Sequence, residues 1–349
     1  MKKGLYVVVL FLTACSAGSA QPAPTLLSVP VFISLSTETI TPTLTSTPIP
    51  SPTLDLPAST PVPYEHYSID YLRARPYGGG TLDVAETLSE HQKFTTYSVR
   101  YQSDGLYIYA IMNVPVGDGV YPVVISVHGY AKPEEYHLLD TDFTIEDRLA
   151  DEGYITIHPS MRNYPPSDSG DNLFRVGDTI DILNLIAIVK SQSGTGILQK
   201  ADSDNIGLGG RSMGGGVVLR VLTVTKDVKA AYLYSPTSGD ETRNVDFFQA
   251  FARDDAQFKG EAKAPTDVSK NASPQDYYSD ITASILLAHG TNDSVIPDSW
   301  SEDTCDRLKK AGVHKRCIFY RGADHTFYNG DRADFISEIV AFFQIHLRQ

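Results

Sequence analysis

The sequence predicts an α/β protein, a mostly parallel eight-stranded sheet with helices on both faces. Three observations carry that expectation. From residue 94 to the C-terminus, short apolar runs of strand length alternate with longer helix-patterned stretches. Strands that alternate with helices are joined by right-handed crossovers and lie parallel. Between one such apolar run and a helix-forming run the chain reads Gly210-Arg211-Ser212-Met213-Gly214, the signature of a sharp strand-to-helix turn that lifts a serine hydroxyl above a sheet. Glycine on either side of that serine has a steric reason, because the turn brings two backbones together where a Cβ would clash.

In order along the chain, residues 96–101 and 106–114 read as an antiparallel pair around Ser103-Asp104-Gly105, and 121–127 as a buried strand. A helix near 144–152, a strand at 154–158, a helix near 176–191 and a strand at 205–209 follow. Downstream come a helix from Ser212, strands at 230–235 and 285–289, a helix at 300–311, a strand at 315–320 and a final helix at 333–346. Two stretches stand apart. Residues 64–93 form an extension with no readable element. Residues 236–280 are a long insertion after the sixth strand, with Phe247, Phe248, Phe251 and Phe258 set among charged residues, a pattern that suits amphipathic helices forming a lid. The plainer expectation is a packed helical excursion clear of the substrate.

A hydrophobic content of 42% supports a substantial core, and a net charge of −13 without a basic run argues against nucleic acid as a partner. The N-terminus reads as an export signal. Lys2 and Lys3 precede the apolar core of residues 5–12, which ends in Leu12-Thr13-Ala14-Cys15. That ending resembles a bacterial lipobox, in which the cysteine thiol is acylated after cleavage; an ordinary secretory signal with an incidental cysteine is the plainer alternative. The expected layout is a lipoprotein signal peptide over 1–14, a Pro/Thr/Ser-rich disordered tether over 15–63 and a catalytic domain over 64–349. The expected location is exported, lipid-anchored through Cys15 to the bacterial cell envelope.

A serine hydroxyl is a weak nucleophile until a base removes its proton and a carboxylate orients the base. Chain order on such a sheet should be serine, acid, histidine, each just past a strand. After the apolar run 284–288 comes His289-Gly290-Thr291-Asn292-Asp293, which places Asp293 in the loop beyond the strand. After the last strand, Gly322-Ala323-Asp324-His325 places His325 before the final helix. Of nine histidines only His325 holds that place; Asp324 and, more remotely, Asp240 compete with Asp293 as the acid. Oxyanion donors are expected from the backbone N–H of Met213 and from that of Tyr130 in His128-Gly129-Tyr130. Cys305 and Cys317 are candidates for a disulfide or for two buried thiols. Arg162 either lines the site or braces its loop by an ion pair. No cluster has metal-ligand spacing, and no loop has a phosphate signature, so neither metal nor cofactor is expected.

Taken together, His128-Gly129-Tyr130, Gly210 to Gly214, His289 to Asp293 with Val295-Ile296-Pro297, and Gly322 to His325 resemble the catalytic domain of the prolyl oligopeptidase family within the α/β-hydrolase superfamily. The resemblance covers about residues 94–349 and implies an α/β-hydrolase fold and a Ser-His-Asp hydrolase without cofactor. Larger members carry a propeller ahead of that domain, whereas the residues before 94 here read as tether and extension. The expected function is therefore a serine esterase cleaving small carboxylic esters through an acyl-enzyme. The alternatives are a peptidase acting on short peptides, for which Asp240 and Glu241 could bind an N-terminal amine, and, remotely, a non-catalytic surface-binding protein on the same scaffold.

Overall fold

The computed structural model describes residues 62–348 apart from 253, 255, 329 and 330, so the expected leader, Cys15 and nearly all of the tether lie outside the described residues. Nine strands, β1 (Asp83–Glu90), β2 (Phe94–Ser103), β3 (Leu106–Pro115), β4 (Tyr121–Val127), β5 (Ile155–Pro159), β6 (Ala201–Arg211), β7 (Val228–Tyr234), β8 (Ser284–Gly290) and β9 (Lys315–Tyr320), form one sheet in the order β1-β2-β3-β5-β4-β6-β7-β8-β9. The first three run antiparallel and β3 pairs antiparallel with β5; from there to β9 every pairing is parallel.

The count of nine among the described residues corrects the expected eight. The additional strand, β1, lies in the extension and escaped notice for a physical reason. It sits at the sheet edge, is exposed or half-buried throughout, and its pairing with β2 slips twice, between Val84 and Glu86 and between Thr87 and Ser89. Those irregularities erase the period-two pattern that marks a strand. Its acidic residues suit an edge that must not pair further. The extension also contributes α1 (Ile69–Ala74), capped by the Ser68 hydroxyl, and its Tyr67 and Leu72 pack with Phe174 and Val268.

Helices cover both faces. Alternation along the strands decides which side each residue feeds: Val123, Ile125 and Val127 of β4 with Ala231 and Leu233 of β7 enter one core, while Val124, Tyr232 and Tyr234 enter the other. The helices α2 (Thr144–Asp151) and, last in the chain, α9 (Asp331–Leu347) cover the second core through Leu149, Phe335 and Phe343. The first core is covered by α3 (Val176–Gln192), α4 (Met213–Val224) and α8 (Asp298–Lys310) through residues such as Ile182, Val218 and Leu308.

The insertion after β7 is helical, comprising α5 (Glu241–Phe251), α6 (Ala256–Lys259) and α7 (Thr266–Asn271). A buried charge cluster ties it to the main body. Arg175, just before α3, donates to Glu241 at 2.5 Å and to Glu261 at 2.8 Å, and Arg220 of α4 donates to the other oxygen of Glu241. Arg162 braces its loop, with two nitrogens on the buried Asp181 at 2.7 and 3.1 Å. Beside it, Asp178 of α3 is fully buried, with one oxygen bonded to Asn172 and the other without a partner.

Burial, then the charge of Asp181, pushes the Asp178 carboxyl up to about 7. The unfolded chain loses this proton near the ordinary value of 3.8 and the native state holds it to about 7, so stability falls as pH rises between those values. Asp178→Asn is expected to relieve that loss by about 2–4 kcal/mol at pH 8 and to do little at pH 4, read as denaturant midpoints at the two pH values. Equal effects at both would remove the assignment.

Candidate active site

The carboxyl ends of four neighbouring strands are stitched laterally by backbone hydrogen bonds. Ser212 N–H donates to Tyr234 O at 2.8 Å, Ser235 N–H to Ala288 O at 2.8 Å and Thr291 N–H to Tyr320 O at 2.9 Å. This row carries Ser212, Asp293 and His325 on one edge of the sheet.

Ser212 directly follows β6 with φ 53° and ψ −120°, a left-handed conformation that costs a non-glycine residue about 1–3 kcal/mol. The turn is held by close packing that only glycine allows. A Cβ on Gly214 would lie 2.3 Å from Val127 O, and one on Gly210 2.4 Å from Gly214 O. Met213 opens α4, so its own N–H has no carbonyl partner within the helix.

At the end of β4, Gly129 brings its backbone close to the serine, since a Cβ there would sit 3.3 Å from the Ser212 Cβ. The Gly129 carbonyl accepts a 2.7 Å hydrogen bond from His128 Nδ1–H. Because a peptide group is planar and trans, holding that carbonyl also sets the direction of the Tyr130 N–H. Burial, reinforced by His158, pushes His128 down to about 3, so it is a neutral imidazole whose proton stays on Nδ1.

Asp293 and His325 meet. His325 Nδ1–H donates to Asp293 Oδ2 at 2.6 Å, while Asp293 Oδ1 accepts the Val295 and Ile296 amides at 2.8 and 2.9 Å. Burial by itself pushes the Asp293 carboxyl up, but hydrogen bonds from His289, His325 and the Ile296 amide outweigh it and hold the group well below the usual carboxylate range. Asp324 is spent on its own loop, accepting the Thr326 and Tyr328 amides. Asp240 caps α5. Ser212 and His325 are not hydrogen-bonded to each other among the described residues; such contacts commonly tighten only when substrate binds.

A second histidine on the acid was not singled out from the sequence. Fully buried His289 places Nε2 3.0 Å from Asp293 Oδ2 and 3.0 Å from Ile296 O, with Nδ1 2.6 Å from Ser301 Oγ. A carbonyl only accepts, so Nε2 carries the proton and Nδ1 accepts from the Ser301 hydroxyl. The one available signal was the histidine at the strand end of His289-Gly290; its partner Ser301 lies in α8 with no local mark. Ser301→Ala should free the tautomer and weaken the donor on Asp293. Asp293 is then held less firmly against His325, so kcat/KM is expected to fall about tenfold. An unchanged kcat/KM would reduce Ser301 to packing.

Cys305 and Cys317 are joined by a disulfide between α8 and β9, with Cα atoms 6.6 Å apart. Among the described residues no group of His, Cys, Asp and Glu side chains is placed to hold a metal ion.

A strained serine at a strand-to-helix turn, beside a paired aspartate and histidine on a sheet covered on both faces, defines an α/β-hydrolase of the serine hydrolase class. Residues 182–349 match the model of the prolyl oligopeptidase family. Over 273 residues, 75% of this chain and 94% of the relative, the sequence is 25% identical to a Synechocystis protein provisionally named carboxymethylenebutenolidase. Among solved structures, acetyl xylan esterase 1 from Thermoanaerobacterium is similar with a TM-score of 0.59 at 17% identity, over 80% of this chain and 93% of that one. The Pyrococcus horikoshii acylaminoacyl peptidase is similar with a TM-score of 0.62 at 19% identity, over 74% of this chain but 42% of the peptidase.

Proposed function

We propose that this protein is an exported, lipid-anchored serine esterase that cleaves small carboxylic esters. The observation that carries the reading is the 2.6 Å bond between His325 Nδ1 and Asp293, on the same sheet edge as the strained Ser212. In the proposed reaction the Ser212 hydroxyl attacks the acyl carbon as its proton passes to His325 Nε2, and Asp293 stabilises the imidazolium. The Met213 and Tyr130 amides receive the oxyanion. Collapse breaks the ester bond, and His325 protonates the departing alcohol. Water then attacks the acyl-enzyme, giving its proton to His325, and the acid leaves as Ser212 is reprotonated.

Esters are favoured over peptides by the fate of one acidic pair. Recognition of a peptide N-terminus would need an acidic pair, and in the pair that the insertion offers, Asp240 accepts α5 amides and Glu241 is buried between Arg175 and Arg220. The names of the Synechocystis and Thermoanaerobacterium relatives point the same way. In this reading residues 1–14 are removed, Cys15 is acylated, and the segment to residue 63 tethers the catalytic domain to the cell envelope.

The test is covalent. A fluorophosphonate probe should label the full chain on Ser212, located by peptide mapping, with short-chain nitrophenyl esters turned over faster than aminoacyl amides. Absence of label, or amides cleaved as fast as the best ester, would overturn the reading. An alkyne fatty acid fed to producing cells should mark the full chain but not Cys15→Ser, and equal marking would remove the anchor.

A further inference from the structure

Ser212, Asp293 and His325 follow the carboxyl ends of their strands, and a basic patch occupies the opposite edge of the sheet. Strands β7 to β9 run parallel toward the candidate site, so their first residues and the C-termini of the returning helices lie together at the far edge. Five lysines collect there: Lys226 follows α4, Lys229 is the second residue of β7, Lys309 and Lys310 end α8, and Lys315 opens β9. Two strand spacings, roughly 10 Å, separate the backbones of Lys229 and Lys315.

None of these lysines meets a carboxylate among the described residues, and Lys229 donates to the Asn205 side chain at 2.9 Å. Nearby acids are mostly used: Asp227 pairs with Lys190, Asp280 with Arg73 and Glu338 with Arg316, which leaves Asp202, Asp204 and Asp306. In a chain of net charge −13, a local excess of cations needs a reason. The α8 macrodipole accounts for Lys309 and Lys310 at its C-terminus, but Lys229 and Lys315 stand at strand starts, where no comparable field acts. An apolar group adjoins the patch. Ile345, in the last turn of α9, is 61% exposed, and the ring of its neighbour His346 meets that of His314, next to Lys315, at 5.4 Å.

We propose that this edge docks on an anionic phospholipid bilayer and leaves the candidate site facing away from it. Ammonium groups on flexible stems match a fluid layer of phosphates, which presents no fixed geometry for the arginine fork to grip. The exposed isoleucine gains by entering the headgroup boundary, which a soluble polyanion does not offer. The net negative charge of the protein does not prevent docking, because salt limits its field to about 8 Å and the bilayer feels the near edge. The contact needs no acyl chain on Cys15 and stands whether or not the esterase reading holds.

The test places an environment-sensitive nitrobenzoxadiazole dye on Ile345→Cys in the full chain, with Cys15→Ser removing the acylation site and Cys305 and Cys317 already bonded to each other. Vesicles of phosphatidylglycerol and phosphatidylcholine in equal parts should raise the dye emission, at about a hundredfold lower lipid concentration than phosphatidylcholine alone requires. Lys229→Gln combined with Lys315→Gln should raise the lipid needed about thirtyfold; Lys229 is exposed and neither side chain is buried, so the fold should tolerate both changes. The same dye on Lys263→Cys, in the insertion beyond the carboxyl end of β7, should stay in water. No rise at residue 345, an equal response to the two lipid mixtures, or an equal rise at residue 263 would overturn the proposal. A response to soluble inorganic polyphosphate without one to vesicles would overturn it too, in favour of a soluble polyanion.

Discussion

Replacing Ser212 with alanine is expected to lower kcat for short-chain nitrophenyl esters by about 10⁴–10⁶-fold. The magnitude follows from the chemistry assigned to the hydroxyl. Without it no acyl-enzyme forms, and only the oxyanion donors and the bound geometry remain to assist direct attack by water. Because nucleophile and base act as one unit, Ser212→Ala combined with His325→Ala should lose little more than either alone. The turn should survive, since it is set by the packing of Gly210 and Gly214 rather than by the hydroxyl, so circular dichroism and the unfolding midpoint should stay close to the parent. A variant that keeps kcat within tenfold of the parent would take Ser212 out of the mechanism.

Glu241→Gln is expected to cost about 3–5 kcal/mol of folding stability. Glu241 is the shared anion between two buried arginines, bonded to Arg175 through one oxygen and to Arg220 through the other. An amide at this place keeps one acceptor, loses the charge and turns a donor toward a guanidinium. Arg220 then loses its carboxylate, and Arg175 keeps Glu261. Glu261→Gln should cost less, because Arg175 keeps Glu241. With the stability of a typical domain near 5–15 kcal/mol, the first change should be plain in urea unfolding. A loss below about 1 kcal/mol would mean that water reaches the cluster, and that the insertion is held instead by packing such as the stack of buried Phe248 on Phe258.

Much of this architecture was legible because it rests on local rules. Strands buried on both faces read as apolar runs, as in Ser284-Ile285-Leu286-Leu287-Ala288, and the Gly210 to Gly214 turn has its own steric signature. What escaped was whatever lacked a local pattern. The edge strand β1 is irregular and little buried, so nothing forced an alternation on it. The Ser301–His289–Asp293 chain joins a helix, a strand end and a loop, and neither spacing nor residue type marks it beforehand. Glu241 read as half of an acidic pair with Asp240 that could bind an N-terminal amine, and only the approach of α3 and α4 makes it the centre of a buried ion cluster.

The sequence by itself determined the fold class, the alternation of elements and the order in which a serine, an aspartate and a histidine arrive at strand ends. Those follow from periodicity and turn chemistry, which act between near neighbours in the chain. Only the tertiary structure decided which acid meets His325 and how the charges of the insertion are spent. Such contacts join residues far apart in sequence, and their partners are chosen by the packing of whole elements, which no local pattern encodes.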